Sequence, residues 1–412
     1  MSDEKMHVDV AIIGGGPAGL AAAITLRKRG IKKVTILERE CNAGGIPRHC
    51  GHPPFGMREF HRILRGPKYA ARVVEQAKSA GAQILTRHSV TELLPGGELK
   101  VASPQGLLTI SAKRVLIATG VRETPRAARF VTGGRPKGIT TTGALQSMIY
   151  LKGLSPFKRP VIVGSELVSF SAILTAIKGG MDPVAMIEPG QRITARHPCE
   201  LIAHFKGVPL LLNTELKEIL GTSKVEGITV NDTKTGESRD IDCDGVIFTG
   251  KFIPEAALAK LSHLQLDAAS GGLEIDQFGR CSDANYYATG NILRPVETAG
   301  WSYREGHVVG AMIADDLEGK LSDIKDASVL CRCEDPVKLV VPQRIIPGRT
   351  GGFKHLQLRV SRAVKGELII ADNLGREWKK KMSVLPERRI LVALSELGIL
   401  ENTGTLRVYF KE

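Results

Sequence analysis

The sequence has no C-x-x-C and no C-x-x-x-x-C pair, which excludes a redox dithiol in the close spacings such centres use. Its seven cysteines (Cys41, Cys50, Cys199, Cys243, Cys281, Cys331, Cys333) show no secreted disulfide framework, and their odd number argues mildly against one. No apolar run reaches the ~18 residues of a membrane span, so no transmembrane segment is expected. The first apolar stretch follows Asp3 and Glu4 and is broken by glycines and a proline, unlike a signal peptide. The chain therefore reads as cytoplasmic. Aromatic residues make up only 5%, and no RNA or DNA motif occurs, so the net charge of +14 does not point to nucleic acid. Half of that excess lies from Cys331 onward, where 16 Lys/Arg face 9 Asp/Glu. Such a tail suits docking to an acidic protein partner, or a plainly solvated surface.

What is present is concentrated in VDVAIIGGGPAGLAAAITLRKRGIKKVTILE, residues 8–38. The run 8–13 is β-branched and too short for a helix. Gly14, Gly16 and Gly19 then form G-x-G-x-x-G, an Ala/Leu-rich helical segment follows, and a second apolar run, 34–37, ends at Glu38. The acid stands 19 positions after the third glycine. Strand, turn, helix and strand closed by an acid form a dinucleotide-binding unit. Gly14 makes the turn, Gly16 lets backbone approach a pyrophosphate, and Gly19 packs helix on strand. The helix N-terminus offers free N–H groups to the phosphates. Glu38 takes ribose hydroxyls and disfavours a 2′-phosphate.

A second unit repeats the plan. Val161, Ile162 and Val163 lead to Gly164, a helix runs to about Lys178, and a strand ends at Glu188. The interval from Gly164 to Glu188 is 24 positions, as from Gly14 to Glu38. Glu166 and Ser169, however, stand where the second and third glycines belong. A carboxylate 4 Å from a phosphate charge costs ~4 kcal/mol at an effective dielectric of 20, about a thousandfold in affinity. Ordinary NAD(P) binding is therefore not expected. Two alternatives stay open: the side chain swings aside, or Glu188 keeps an adenosine while the phosphates take another path.

At 412 residues with 42% hydrophobic and 24% charged, the chain reads as a soluble protein of two or three domains. Strands are expected at 82–85, around Val90, and as a pair at 107–111 and 113–117, the last ending in Ala118-Thr119-Gly120. A later strand ends in Phe248-Thr249-Gly250. Another ends in Ala288-Thr289-Gly290-Asn291, before a helix from about Thr298. Small-residue turns at the carboxyl edge of a parallel sheet are where cofactors sit. The tail reads as strands at 355–360, 367–372, 389–394 and 406–410.

The order of these motifs resembles that of the two-dinucleotide-domain flavoprotein reductases. GGIPRHCGHPPFGMREF (44–60), GSELVSFSA (164–172) and RPVETAGWSYREG (294–306) narrow the resemblance over about residues 5–335. They are similar to the FAD-containing subunits of hydrogen cyanide synthase, of opine oxidase, and of the hydroxyproline and proline dehydrogenase complexes. The resemblance implies an α/β fold: a discontinuous Rossmann-like FAD domain (1–122 and 256–330), an inserted degenerate NAD(P)-like domain (123–255), and a small, mostly β extension (331–412). It implies that FAD is lined by Gly14, Gly16, Pro17, Ala18, Gly19, Glu38, Arg39, Gly45, Ile46, Val90, Ala118, Thr119, Gly120, Gly290 and Asn291. In relatives the last position is normally Asp and holds the ribitol. The implied partners are a glycine-oxidase-like chain that oxidises the substrate amine, with an FMN at the interface, and a small ferredoxin-like chain.

Relatives continue after C-R-C into a [2Fe–2S] domain that uses C-x-C and a later C-x-x-C. Here Cys331-Arg332-Cys333 is present, but no cysteine follows, and His355 is the tail's single histidine. This chain alone is therefore expected to lack the cluster, unless a partner chain supplies the missing thiolates. Cys50 and His52, with His49, are flavin-pocket candidates. A metal site or simple loop packing are the other readings. The function expected is FAD-bearing subunit of a heteromeric amine or amino-acid dehydrogenase. A self-sufficient NAD(P)H-dependent flavin reductase and a non-catalytic scaffold remain alternatives.

Overall fold

The apolar run at the start forms a central strand, β1 (Glu4–Ile13), in which Val10, Ala11 and Ile12 are buried on both faces. The computed structural model describes residues 4–321, 328–399 and 402–412. In it β1 lies between β2 (Val34–Glu38) and the long strand Gly106–Ile117, parallel to both. Gln83–Thr86 extends the sheet beyond β2, and Tyr286–Ala288 pairs with the far end of Gly106–Ile117. Helix α1 (Pro17–Lys28) crosses between β1 and β2, with its proline in the first turn, where no N–H is needed. The late helix Ala299–Leu317 lies close on α1, because Cβ atoms at Gly306 and Gly310 would meet the backbone of Ala18 and Ala22.

The sequence predicts two strands at 107–111 and 113–117, but the structure has one, Gly106–Ile117. Ala112 offers no turn chemistry and is buried within it. The early part of this strand pairs antiparallel with Glu98–Ser103, a strand the sequence reading missed after the Pro95-Gly96-Gly97 turn.

The second unit has a five-stranded sheet in the order Leu210–Leu211, Ala185–Ile187, Pro160–Val163, Gly245–Phe248 and Ile139–Thr141. All its pairings are parallel. Two short antiparallel strands, Val121–Glu123 and Phe252–Pro254, pair between the two units. The tail is mostly β, with a short 3₁₀ turn at Leu394–Glu396, and has its own apolar core around Leu356, Leu358, Val360 and Leu368. Its sheet takes in Val329–Cys333, which pairs with Thr405–Lys411. Glu377–Val384 is its edge strand and carries Lys379, Lys380 and Lys381. Lysines there keep an open edge from pairing with another chain, which accounts for part of the tail's basicity. Residues 1–3, 322–327 and 400–401 of the expected domains lie outside the described residues. Among the described residues, no helix is long and apolar enough to cross a membrane.

Candidate functional site

The first turn is built from backbone. The Gly14 N–H donates to Leu37 O at 2.9 Å, and Gly14 has φ +110°, with Ala118 C 2.9 Å from where a Cβ would stand. The Gly15 N–H donates to Glu38 Oε2 at 3.0 Å and the Glu40 N–H to Glu38 Oε1 at 2.9 Å. A carboxylate has about four acceptor positions, so Glu38 keeps capacity for a ribose diol. Gly16 caps α1, and a Cβ there would meet only Gly45 Cα, at 4.0 Å. Gly45 (φ +61°) comes back onto this turn, and the Gly44 N–H donates to Gly15 O at 2.7 Å. α1 has no side-chain cap and no acid in its first turn, so its leading N–H groups remain free for an anion.

Ala118, Thr119 and Gly120 reach the same sheet edge. The Ala118 N–H donates to Ile13 O at 2.9 Å, and the Thr119 hydroxyl donates to Glu255 O at 2.8 Å. At Gly120 a Cβ would meet nothing within 4 Å. Gly290 sits against α1, where a Cβ would lie 2.9 Å from that of Ala18. Thr289 Oγ1 and Ser302 Oγ are buried there without a protein partner. Asn291 spends both ends of its amide on Glu297: Nδ2 donates to Glu297 O at 3.0 Å and Oδ1 accepts the Glu297 N–H at 2.8 Å. Arg39 is exposed beyond β2, Ile46 opens the 3₁₀ turn Ile46–His49, and Val90 follows His88, whose N–H donates to Glu38 O at 3.0 Å. Sheet order puts Glu38 on one side of β1 and Gly290 on the other. Glycine-lined open space between an acid and two unpartnered hydroxyls fits an extended FAD.

Cys50 faces the second unit. Its Sγ donates to Gln146 Oε1 at 3.4 Å, and Gln146 Nε2 donates to Ser171 Oγ at 2.7 Å. Burial, helped by the Glu123 carboxylate, pushes the Cys50 thiol up to about 12. Burial also lowers the pKa of His49. His52 has different surroundings: its Nδ1 lies 2.9 Å from Pro53 O and its ring beside Phe55. Sequence reasoning missed Glu123 and Gln146, which no motif marks, and gave no role to Ser171, which falls within the 164–172 segment. Glu123 Oε2 accepts the Gly143 N–H at 2.7 Å, and burial raises its pKa.

In the second unit Glu188 reproduces Glu38. It accepts the Gly190 N–H at 2.9 Å and the Ser165 hydroxyl, which itself accepts the Thr194 N–H at 2.8 Å. Glu166 caps Leu167–Lys178 with φ −70° and ψ 170°, close to the −83° and −179° of Gly16. The side chain thus stands in the position of the middle glycine without strain. Its carboxylate accepts the Lys251 N–H at 3.0 Å and fills the place a Cβ on Gly250 would take. Arg129 fastens that loop, donating to Thr249 O at 2.9 Å and Gly250 O at 2.8 Å. Ser169 Oγ and Thr249 Oγ1 share a hydrogen bond of 2.6 Å where close helix–strand contact would need glycine. The space is open at Gly120 and filled at Gly250.

A family model described as pyridine nucleotide-disulphide oxidoreductase matches residues 8–306. The chain belongs to that family. It is an FAD-binding oxidoreductase of the kind. It is 27% identical over 364 residues to a dihydrolipoyl dehydrogenase of Staphylococcus aureus, covering 79% of this chain and 73% of that protein. A thioredoxin reductase structure from T. acidophilum superposes with a TM-score of 0.62 at 24% identity, covering 76% of this chain and 99% of that one. An L-proline dehydrogenase structure from P. horikoshii gives 0.56 at 21% identity, over 78% of this chain and 58% of that one. Likenesses this distant show the fold.

All seven cysteines are free. Cys331 lies in the tail core, 2% exposed, and burial pushes its thiol up to about 12. Cys333, two residues on in the same strand, is half-buried, and burial raises its pKa as well. These thiols serve as packed apolar groups rather than ready thiolates. Under native conditions a thiol-specific reagent is expected to modify exposed Cys41 first, with Cys50 and Cys331 reacting only on unfolding. Peptide mapping by mass spectrometry checks this, and early labelling of Cys50 counts against it.

Proposed function

We propose that this chain is the FAD-bearing subunit of a heteromeric amine or amino-acid dehydrogenase whose substrate is oxidised on a partner chain. The observation that carries the reading is the Glu166 carboxylate lying on Gly250, where the first unit is open. A nicotinamide dinucleotide finds its pyrophosphate position filled by an anion. The cysteines are all free and form no C-x-x-C or C-x-x-x-x-C pair, and burial raises the thiol pKa of both Cys331 and Cys333, so no ready dithiol replaces it as an electron source. Support also comes from the 44–60 and 294–306 segments, whose resemblance is to subunits that work with a glycine-oxidase-like chain. When bound, FAD supplies the two-electron chemistry. The chain's own residues position it: glycines admit the pyrophosphate, and Glu38 takes the ribose.

The test is to express the chain alone and with the products of neighbouring genes, then assay secondary amines and amino acids with an artificial acceptor. Turnover is expected only in the complex. Robust turnover by the single chain overturns the proposal. The second reading, an NAD(P)H-dependent reductase, is favoured by Glu188, which is held like Glu38 and leaves an adenosine position intact.

A further inference from the structure

Strand His355–Val360 alternates. Leu356, Leu358 and Val360 are buried in the tail core, and Gln357 and Arg359 point the other way, onto the FAD unit. Arg389, just before the neighbouring strand Ile390–Ala393, joins them. Arg359 Nη2 donates to Glu297 Oε1 at 2.8 Å and to Val296 O at 3.0 Å, and its Nη1 donates to Glu387 O at 3.2 Å. Arg389 donates to Gln357 Oε1 at 3.0 Å, lies 3.6 Å from Glu297 Oε2, and stacks 3.9 Å over the Trp301 ring at the start of Ala299–Leu317. Beneath them Arg294, 1% exposed, donates to Glu305 and, at 2.8 Å, to Gln357. Three arginines thus face two carboxylates where the tail meets the FAD unit, with Arg294, Glu297 and Glu305 buried and Arg359 and Arg389 part-buried.

Glu297 is the pivot. Its backbone holds both ends of the Asn291 amide, and Asn291 follows the Gly290 turn that lies against α1. We propose that Arg359, assisted by Arg389, is a positioning residue for FAD: the tail clamps Glu297, Glu297 fixes Asn291, and the cofactor's binding loop is thereby built partly by the tail. Because the Glu297 carboxylate is buried and Arg359 part-buried, removing the arginine loses more than the pair contributes, since the carboxylate is left stranded. The consequence is that the tail belongs to the cofactor site, although the residues named above as lining FAD all precede it in the chain.

This rests on the assignment of FAD to the first unit, not on any role in a heteromer. The experiment is reconstitution of the full-length apoprotein with FAD, followed by flavin fluorescence and the visible spectrum. Arg359→Gln is expected to weaken FAD affinity about tenfold or more, whereas Arg359→Lys, which keeps the charge, retains part of it. In an Asn291→Ala background the Arg359→Gln effect is expected to shrink to about twofold or less, since coupled residues are not additive. Glu297→Gln, which leaves the backbone hold on Asn291 in place, gives an intermediate loss and serves if Arg359→Gln does not fold. Wild-type affinity in a folded Arg359→Gln or Glu297→Gln chain, or an undiminished effect without the Asn291 amide, overturns the proposal. A wild-type chain that takes up no FAD overturns the cofactor assignment together with it.

Discussion

Gly16→Glu is expected to give a folded, soluble chain that purifies without FAD. A Cβ is accommodated, since one at Gly16 would meet only Gly45 Cα at 4.0 Å. Backbone strain is absent too, because Glu166 already adopts nearly the same φ and ψ at the corresponding helix cap. What changes is charge: a carboxylate at the pyrophosphate position costs ~4 kcal/mol at 4 Å and an effective dielectric of 20, about a thousandfold in affinity. Gly16→Ala is the control and should keep most of its flavin. Gly14 is not a usable substitute, because its φ of +110° and the nearby Ala118 carbonyl threaten the fold itself. Absorbance near the flavin bands, set against circular dichroism, gives the answer. A yellow Gly16→Glu protein removes the FAD assignment for this unit.

The second large effect is the converse. Wild-type flavin is expected to be reduced poorly by NADH or NADPH under anaerobic conditions, and Glu166→Gly with Ser169→Gly should raise nucleotide affinity by about one to three orders of magnitude. Removing the Glu166 carboxylate clears the ground over Gly250 and frees the Lys251 N–H it now occupies. Removing the Ser169 side chain frees Thr249 Oγ1, whose remaining bond is to Val163 O at 2.8 Å. Stopped-flow bleaching of the flavin and nucleotide titration separate hydride delivery from binding. Rapid bleaching of the wild type by micromolar NADH would falsify the closed-site reading and promote the self-sufficient reductase.

Both experiments act on features that are legible in the sequence because they are local. The turn, helix and acid of residues 8–38 fall within one supersecondary unit, so spacing alone locates Gly14, Gly16, Gly19 and Glu38. Glu166 is visible for the same reason, as a broken spacing. Where its carboxylate goes is not, because Gly250 and Lys251 come from a strand end far along the chain. The Glu297–Arg359 clamp is invisible likewise. Arg359 looks like any basic residue of a charged tail until strand alternation and the sheet partner are known. Cys50 is only half legible: a thiol between two histidines looks chemical, but nothing nearby in the sequence shows that the turn Ile46–His49 directs it toward Gln146 and buries it. The single strand Gly106–Ile117 reads as two because its residues face different partners at its two ends.

That divided partnership has a consequence for synthesis on the ribosome. Tyr286–Ala288 pairs with Val115, Leu116 and Ile117, yet the entire sheet of the second unit is translated in between. Until Tyr286 emerges, the growing chain carries the far end of Gly106–Ile117 as an open parallel edge with its ladder bonds unmade. The second unit is contiguous and can close first, so the FAD sheet is completed around a neighbour that has already folded. Long loop closure slows that last pairing, and an unpaired edge in the meantime invites association with other nascent chains. Nascent chains stalled before residue 286 should therefore be more prone to aggregation and proteolysis in the first unit than in the second, which limited proteolysis of stalled complexes would reveal.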